Sequence, residues 1–246
     1  MQYPNGSNWS ALKSEILCNG EDNIKLSNIS CGKLKLPSGK LIVCDPFAGM
    51  SKSDNSFIQI PPGEYEVIVT LADVSPNLDG SHNREAYASL IIDANASENS
   101  RKFLELSQSG MPSNQSLNSD EFLGYGVDAG TSCFADAETI EQDMPDQDTW
   151  YEGLFENDDN NCWFNQMDDD KLIRNGIANI PLPMNNGNNL ILFHSGWGDG
   201  FYPVVGSYDS NGALIAVHTD FFVAHSPEDD EETNSSIDKP WWKFWA

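Results

Sequence analysis

Apolar and polar residues alternate at a spacing of two along much of the chain, which is the pattern of half-buried β-strands. The alternation is clearest at residues 64–72, EYEVIVTLA, directly after the turn formers Pro61-Pro62-Gly63. A second signal is a hairpin at residues 32–46, in which two short apolar runs flank Pro37-Ser38-Gly39. Further strands are predicted at residues 24–29, 84–94, 121–127, 131–134, 190–194, 201–205, 213–218 and 220–223.

Helical signals are few by comparison. Residues 9–17, WSALKSEIL, are predicted to form a short helix that is capped by Ser10 and ended by Cys18-Asn19-Gly20. Residues 137–144, AETIEQDM, lie in an acidic stretch and are the second helical prediction. The sequence therefore predicts a mainly β fold, a β-rich α+β protein with antiparallel sheets or a sandwich and few short helices.

The composition changes after residue 225. Residues 1–225 are predicted to form a single β-rich domain, because 39% hydrophobic and 11% aromatic residues are enough to build a core. Residues 226–238, SPEDDEETNSSID, are predicted to be a disordered acidic linker. Residues 239–246, KPWWKFWA, form an aromatic and basic tail that is too short to span a membrane.

Negative charge is concentrated in the second half of the chain. The formal net charge is −25, and Lys171 and Arg174 are the only basic residues between positions 103 and 238. A field of this sign repels nucleic acid and anionic membranes and attracts basic proteins. Within the predicted domain, 13 of the acidic residues lie at positions 136–170, where large aromatic residues are interleaved with them.

This acidic and aromatic stretch has two interpretations. One is a solvated face that keeps the protein soluble. The other is a binding surface, in which aromatic side chains supply buried area and carboxylates steer a basic partner into place. The predicted partner-contacting residues are Asp143, Asp146, Asp148, Trp150, Tyr151, Glu152, Asp158 and Asp159.

The densest glycine cluster, Gly196-Trp-Gly-Asp-Gly200, follows a predicted buried strand. Glycines there would let the backbone approach a ligand while Asp199 is presented at the strand end. The alternative is a tight turn in which Asp199 accepts backbone N–H bonds and Trp197 packs on the core. Together with residues 128–136, the motif defines an alternative ligand site made of Asp136, His194, Trp197 and Asp199.

The five cysteines are interpreted as reduced thiols of a cytoplasmic protein, since their number is odd and the first residues do not resemble a secretory signal. Cys31 and Cys44 flank the predicted hairpin and are candidates for lying close together. A thiol triad of Cys133, His194 and Asp199 is the weaker hypothesis, because Cys133 sits in a strand where a free cysteine commonly behaves as a small buried hydrophobe.

Neither a metal nor a cofactor is predicted. The four histidines show no ligand spacing, and H-E-x-x-H is absent. The calcium-loop pattern fails after Asp146, because its sixth position is Tyr151. No pair of carboxylates is singled out for glycoside hydrolysis. The sequence therefore favours a binding protein over an enzyme.

Three motifs occur in order along the chain. They are Gly32-x-Leu-x-Leu-Pro-Ser-Gly-Lys-Leu with Cys44-Asp-Pro-Phe, Pro62-Gly-Glu-Tyr-x-Val, and Ser195-Gly-Trp-Gly-Asp-Gly-x-Tyr-Pro-Val with Asp220-Phe. Together they resemble a bacterial family, the domain of unknown function 4241, over residues 30–223. The resemblance implies no established activity, so no catalytic residue can be carried over from it.

An acidic bacterial protein without catalytic motifs is similar in character to immunity proteins, which neutralise basic toxins, often nucleases. The leading hypothesis is therefore a bacterial immunity-type protein that binds a cognate toxin through its acidic second half. The alternative is an enzyme or small-ligand-binding protein with its site at residues 128–136 and 195–200. The sequence predicts neither the identity of the toxin nor the oligomeric state.

Overall fold

The computed structural model describes residues 9–19, 22–110, 122–184 and 186–224. The predicted linker and tail lie outside these ranges. The strands are β1 Ile16–Asn19, β2 Asp22–Leu36, β3 Lys40–Cys44, β4 Ile58–Gln59, β5 Gly63–Asp73, β6 Asn83–Ile91, β7 Ser100–Phe103, β8 Gly124–Val127, β9 Thr131–Asp136, β10 Ile177–Pro181, β11 Asn189–His194, β12 Gly200–Tyr208 and β13 Leu214–Asp220. The helices are α1 Ala137–Asp143 and α2 Trp163–Asp168, with a 3₁₀ turn at Gln147–Thr149 and a π turn at Tyr151–Phe155 between them.

The strands form two antiparallel sheets, as the alternating pattern predicts. The large sheet has eight strands in the order β1-β2-β5-β6-β13-β12-β7, with β8 also paired to β12. The small sheet has five strands in the order β10-β11-β9-β3-β4. The prediction of a mainly β protein with antiparallel sheets and few short helices is therefore confirmed.

The main core lies between the two sheets. Val67, Val69 and Leu90 of the large sheet and Phe134 and Phe193 of the small sheet are each 0% exposed and belong to one hydrophobic cluster. The two phenylalanine rings pack edge to face, with their centroids 5.1 Å apart. Burial of this alternating set holds the two sheets together as a sandwich.

The second face of the small sheet is also buried, beneath the segment 137–168, which we call the cap. The cap contains α1, the two short turns and α2. Its apolar side chains form a second cluster with Ile42, Ala135, Leu190 and Leu192 of the small sheet. The fold therefore has three layers, namely the large sheet, the small sheet and the cap.

Asp136 fixes the point at which the cap leaves the small sheet. Its carboxylate is fully buried and caps α1 by accepting the backbone N–H groups of Glu138 and Thr139. It also accepts the backbone N–H and the hydroxyl of Ser38, at 3.0 and 2.8 Å. One side chain thus joins the β2–β3 turn to the start of the cap, which explains its burial without a cation.

The two helical predictions have opposite outcomes. The helix predicted at residues 137–144 is confirmed as α1, Ala137–Asp143. The helix predicted at residues 9–17 is wrong, because Ile16 and Leu17 belong to β1 and a turn precedes them. In this segment, pairing with β2 gives the backbone its hydrogen bonds, and that pairing overrides the local helical propensity.

The buried thiols pair differently from the expectation. Cys44 lies opposite Cys133 on the neighbouring strand, and their sulfur atoms are 3.7 Å apart. Cys31, which was expected near Cys44, is buried in the core between the sheets instead. The hairpin predicted at residues 32–46 is wrong, because β2 pairs with β5 in the large sheet and β3 pairs with β9 in the small sheet. Cys31 and Cys44 therefore lie on different sheets although they are close in sequence.

We expect truncation of Phe155 to destabilise the protein strongly. This ring packs in the cap against Phe47 and Trp163, at centroid distances of 4.4 and 4.8 Å. Phe155→Ala should lower the free energy of unfolding by about 3–5 kcal/mol, because it leaves a cavity against the small sheet. Chemical denaturation followed by far-UV circular dichroism measures the change.

Tyr151→Ala in the same turn provides the control. Tyr151 is 55% exposed, so its truncation should change the free energy of unfolding by no more than about 0.5 kcal/mol. Equal losses in the two variants would show that the cap does not bury Phe155 as described.

Candidate functional site

The large aromatic residues of the cap face the small sheet. Trp150, Phe155 and Trp163 are between 2% and 4% exposed and lie in the second hydrophobic cluster. The indole N–H of Trp150 donates to the backbone oxygen of Pro145 at 3.0 Å. Trp150 was predicted to contact a partner, and this burial places it beneath the surface instead. Its role in the structure is to anchor the cap.

Asp143 was also predicted to contact a partner, and it too is buried. Its two carboxylate oxygens accept the side-chain amides of Asn186 and Asn188, at 2.6 and 2.7 Å. The side chain is therefore used to hold the turn between β10 and β11 against the cap. Neither Asp143 nor Trp150 can form part of a surface contact in this conformation.

The other six predicted contact residues lie on the outer surface of the cap. They are Asp146, Asp148, Tyr151, Glu152, Asp158 and Asp159. Asp159 accepts the backbone N–H of Asn161, and Tyr151 donates its hydroxyl to Glu156 at 2.5 Å. The cap thus presents carboxylates and one exposed aromatic ring on a fixed frame.

The two segments of the alternative ligand site meet at one end of the small sheet. Thr131 of β9 pairs with His194 of β11, and the backbone N–H of Ser195 donates to the oxygen of Gly130 at 3.0 Å. The carboxylate of Asp199 accepts the backbone N–H of Gly130, also at 3.0 Å. Asp199 therefore ties the two loops together, as the tight-turn interpretation predicted, but Trp197 is 57% exposed and does not pack on the core as that interpretation also predicted.

Glycine is required at position 196 by its conformation and its surroundings. Its φ is +62°, and a Cβ there would lie 2.7 Å from Val223 and 3.0 Å from the backbone oxygen of Glu85. The loop is thus pressed against the large sheet. Asp136 lies at the other end of β9, where it caps α1, so it does not belong with His194, Trp197 and Asp199.

A thiol triad is not formed at this end of the sheet. Cys133 is 0% exposed and belongs to the core beneath the cap. Its contact with Cys44 and the burial of both residues raise the pKa of the Cys44 thiol well above its usual value. A buried thiol pair of this kind is inert as a nucleophile.

Four residues that were not predicted complete the cluster around the glycine motif. Glu85 of β6 is 4% exposed, and its Oε1 lies 2.7 Å from Nη1 of Arg174. Both Glu85 and His194 approach the same point beside Gly176, where a Cβ would lie 3.2 Å from Oε1 and 2.6 Å from Nδ1. We call Glu85, Arg174, His194, Arg84, His82 and Trp197 the Glu85 cluster.

Burial dominates the electrostatics of this cluster. Desolvation raises the pKa of the Glu85 carboxyl to about 7, although the neighbouring Arg174 acts in the opposite direction. Burial likewise lowers the pKa of His194. A buried carboxyl group whose pKa is raised toward neutrality is a candidate proton donor or acceptor, which is the chemistry this cluster offers.

Trp197 forms the exposed edge of the Glu85 cluster. It is 57% exposed, and the Arg84 guanidinium lies over its ring at 5.0 Å. Arg84 Nε donates to His82 Nε2 at 3.1 Å, and the His82 ring meets Trp197 edge-on. Of the four cluster residues that were not predicted, only Arg174 could have been singled out from the sequence, because it is one of only two basic residues in a long acidic region.

Clusters of metal-ligating side chains and long apolar helices are both absent from the ranges described above. No group of three or more histidine, cysteine, aspartate or glutamate side chains in those ranges could hold a metal ion. Among the helices of the same residues, none is long and apolar enough to cross a membrane.

Comparison with known proteins identifies the family. The model of a family described as Protein of unknown function (DUF4241) matches residues 34–219, which is well over half of the chain. The chain belongs to this family, as its three motifs suggested. The matched region runs from β2 to β13 and includes the small sheet, the cap and the glycine motif. No curated protein and no solved structure matches the chain.

We expect the stability contributed by Glu85 to depend on pH. Its pKa is about 7 in the folded state against an ordinary value of 4.5, so the folded protein binds the extra proton between these values. The stabilisation is therefore complete below about pH 4.5 and is lost as the pH rises through about 7. Relative to Glu85→Gln, the wild type should lose roughly 3 kcal/mol of unfolding free energy between about pH 4.5 and pH 8.

Denaturant unfolding of both proteins at matched pH values measures this difference. A difference that does not vary with pH, or one that favours the wild type more as the pH rises, would contradict the assignment.

Proposed function

We propose that this protein is a cytoplasmic bacterial immunity-type protein that neutralises a basic toxin through the outer surface of its cap. The observation that carries the proposal is the division of the cap into two faces. Trp150, Phe155 and Trp163 are buried against the small sheet, whereas the carboxylates of the cap, apart from that of Asp143, lie at its surface. The acidic surface is therefore held on a packed frame.

The carboxylates of the cap are only partly offset by basic residues of the chain. Lys40 pairs with Glu138 at 2.7 Å, and Lys52 Nζ donates to the backbone oxygen of Met144. Arg174 is paired with Glu85, which leaves Lys171 as the remaining basic residue between positions 103 and 238. Asp148, Glu152 and Asp158 lie on the exposed face of the cap. Such a surface attracts a cationic protein and speeds its association.

Tyr151 supplies an exposed aromatic ring on the same face of the cap as these acids. Its ring is 55% exposed, and its hydroxyl is held by Glu156. Exposed tyrosines surrounded by polar residues are frequent energetic centres of protein interfaces. An acidic rim around one aromatic anchor suits the cationic active-site surface of a nuclease toxin.

A second candidate function is supported by the Glu85 cluster. A carboxyl group with a pKa of about 7 lies beside His194, and the exposed Trp197 ring borders it. These are features of small-ligand and enzyme sites. This proposal uses a different surface from the cap, so the two functions can be separated by mutation.

The proposed interaction is tested with three charge-neutralising substitutions on the cap. Asp148→Asn, Glu152→Gln and Asp158→Asn should together weaken toxin binding by roughly tenfold or more and slow association, because steering charge is removed. The partner to be tested is the C-terminal domain of a basic toxin whose gene lies immediately upstream of the gene for this chain, where sequencing of that region finds one. Calorimetry and survival of co-expressing cells are the measurements, and wild-type binding should weaken as NaCl rises from about 50 to about 300 mM.

A matched control removes the same charge from the opposite layer. Glu64, Glu66 and Asp93 are exposed residues of the large-sheet layer, and their amide variants change the net charge equally. The control triple should retain toxin binding. Equal losses in both triples would leave only a general charge effect, and unchanged binding in the cap triple would overturn the proposal. Retained activity of the cap triple on a small molecule would favour the Glu85 cluster.

A further inference from the structure

A cleft of about 670 Å³ lies on the face of the large sheet that is turned away from the small sheet. Ile68, Ser89 and His218 occupy paired positions on three neighbouring strands and alternate with residues of the sandwich core. The volume of the cleft is within the usual range for small-ligand sites. The residues used below are Trp9, Leu12, Ile68, Ile91, Arg101 and His218, all of which line the cleft.

One wall of the cleft is formed by residues 9–13, which are fixed to the sheet by hydrogen bonds. The backbone N–H of Leu12 donates to Thr70 Oγ1 at 2.9 Å, and Asn28 Nδ2 donates to the oxygen of Leu12 at 2.8 Å. Thr70 in turn donates to Asn28 Oδ1 at 2.8 Å. These three hydrogen bonds join Leu12, Asn28 and Thr70 to one another, so residues 9–13 are held in a fixed position on the sheet.

The floor of the cleft contains a directional chain of hydrogen bonds. The Ser89 hydroxyl donates to His218 Nδ1 at 2.8 Å, and His218 Nε2 donates to Ser207 Oγ at 3.0 Å. The Ser207 hydroxyl then donates to Glu98. This order follows because the Glu98 carboxylate can only accept, which assigns the remaining protons in sequence.

The same chain excludes serine-nucleophile chemistry. His218 Nε2 carries a proton and faces Ser207, so it cannot remove the serine proton. Burial lowers the pKa of His218 to about 3, with a smaller contribution from Arg101, so the imidazolium form is strongly disfavoured. The floor is therefore suited to binding.

Arg101 supplies the polar group that a ligand would use. Its Nε donates to Glu98 Oε1 at 2.5 Å, and its guanidinium lies over the Trp9 ring at 5.1 Å. Its Nη1 is buried and has no hydrogen-bond partner among the described residues. A buried donor without a partner is costly, and an acceptor oxygen of a bound molecule would satisfy it once the Arg101 side chain shifts to bring Nη1 to the cleft.

The surrounding charges decide between a carboxylate and a neutral acceptor. Arg101 is already neutralised by Glu98, and Lys13 by Glu15 at 3.1 Å. Glu66 and Asp93 add negative charge at the rim of the cleft. An anionic ligand would meet repulsion here, whereas a neutral carbonyl would not.

We propose that this cleft binds a small neutral molecule that has an apolar body and a carbonyl oxygen. The carbonyl would accept a hydrogen bond from Arg101 Nη1, and the apolar body would pack against Trp9, Ile68 and Ile91. Primary aliphatic amides are the simplest molecules of this class. The site lies on the opposite layer from the cap, so it does not depend on the proposed toxin interaction.

The test uses hexanamide with the full-length ¹⁵N-labelled protein. Nuclear magnetic resonance follows the indole N–H of Trp9, which is assigned by its absence in Trp9→Phe. Hexanamide should bind saturably with a dissociation constant on the order of millimolar, and hexanoate should bind several-fold more weakly. Tighter binding of hexanoate would overturn the choice of a neutral ligand, and the absence of saturable hexanamide binding would overturn the site.

Two variants locate the interaction. Arg101→Met should weaken hexanamide binding by roughly tenfold or more, because it removes a hydrogen bond from a charged donor. Lys102→Met is the matched control, since Lys102 is the exposed neighbour on β7 and should leave binding unchanged. Equal binding by the Arg101 variant and the wild type would contradict the assigned contact.

Ala96→Phe keeps the test decisive if Arg101→Met unfolds. Ala96 lines the cleft, so a phenylalanine there occupies ligand space while Arg101 and Glu98 are retained. Ala96→Phe should abolish hexanamide binding, with its folding verified by the thermal midpoint. Retained binding would place the ligand elsewhere and overturn the proposal.

Discussion

The structure depends on the burial of both faces of the small sheet. All six residues of β9 are buried, so this strand needs one apolar cover on each side. The large sheet supplies one cover and the cap supplies the other. Because the cap segments are short, their stability comes from this packing more than from helical propensity. The aromatic residues are consequently drawn inward, and the acidic residues that separate them are left on the surface.

Buried carboxylates are a second consequence of this arrangement. Asp45 is 0% exposed and accepts the backbone N–H groups of Phe47, Ala48, Asp128 and Ala129. Asp136 and Asp143 are likewise satisfied by hydroxyl, amide and backbone donors. Charge-assisted bonds of this kind offset the cost of desolvation where no cation is available. Some of the formal charge therefore connects loops in the interior and does not contribute to the acidic surface.

Period-two alternation located the strands well, because each strand of a sandwich must present one face to the core. The same pattern could not show which way the cap residues face, since the helical segments of five to seven residues are too short for a clear period. Trp150 and Asp143 were for this reason assigned to the surface. Local sequence patterns also cannot predict contacts between residues that are far apart in the sequence. Glu85 with Arg174 and Cys44 with Cys133 each join residues 89 positions apart.

The strand order has a consequence for the synthesis of the chain. β2, β5 and β6 can assemble early because all three end by Ile91, but β6 also requires β13, which begins at Leu214. From the completion of Ile91 until that point, one edge of β6 has unpaired N–H and C=O groups. A nascent chain in this state is open to pairing with another copy, as slow-forming sheets are in general. Among the described strands, β13 is the last to emerge, and its pairing closes the open edge of β6.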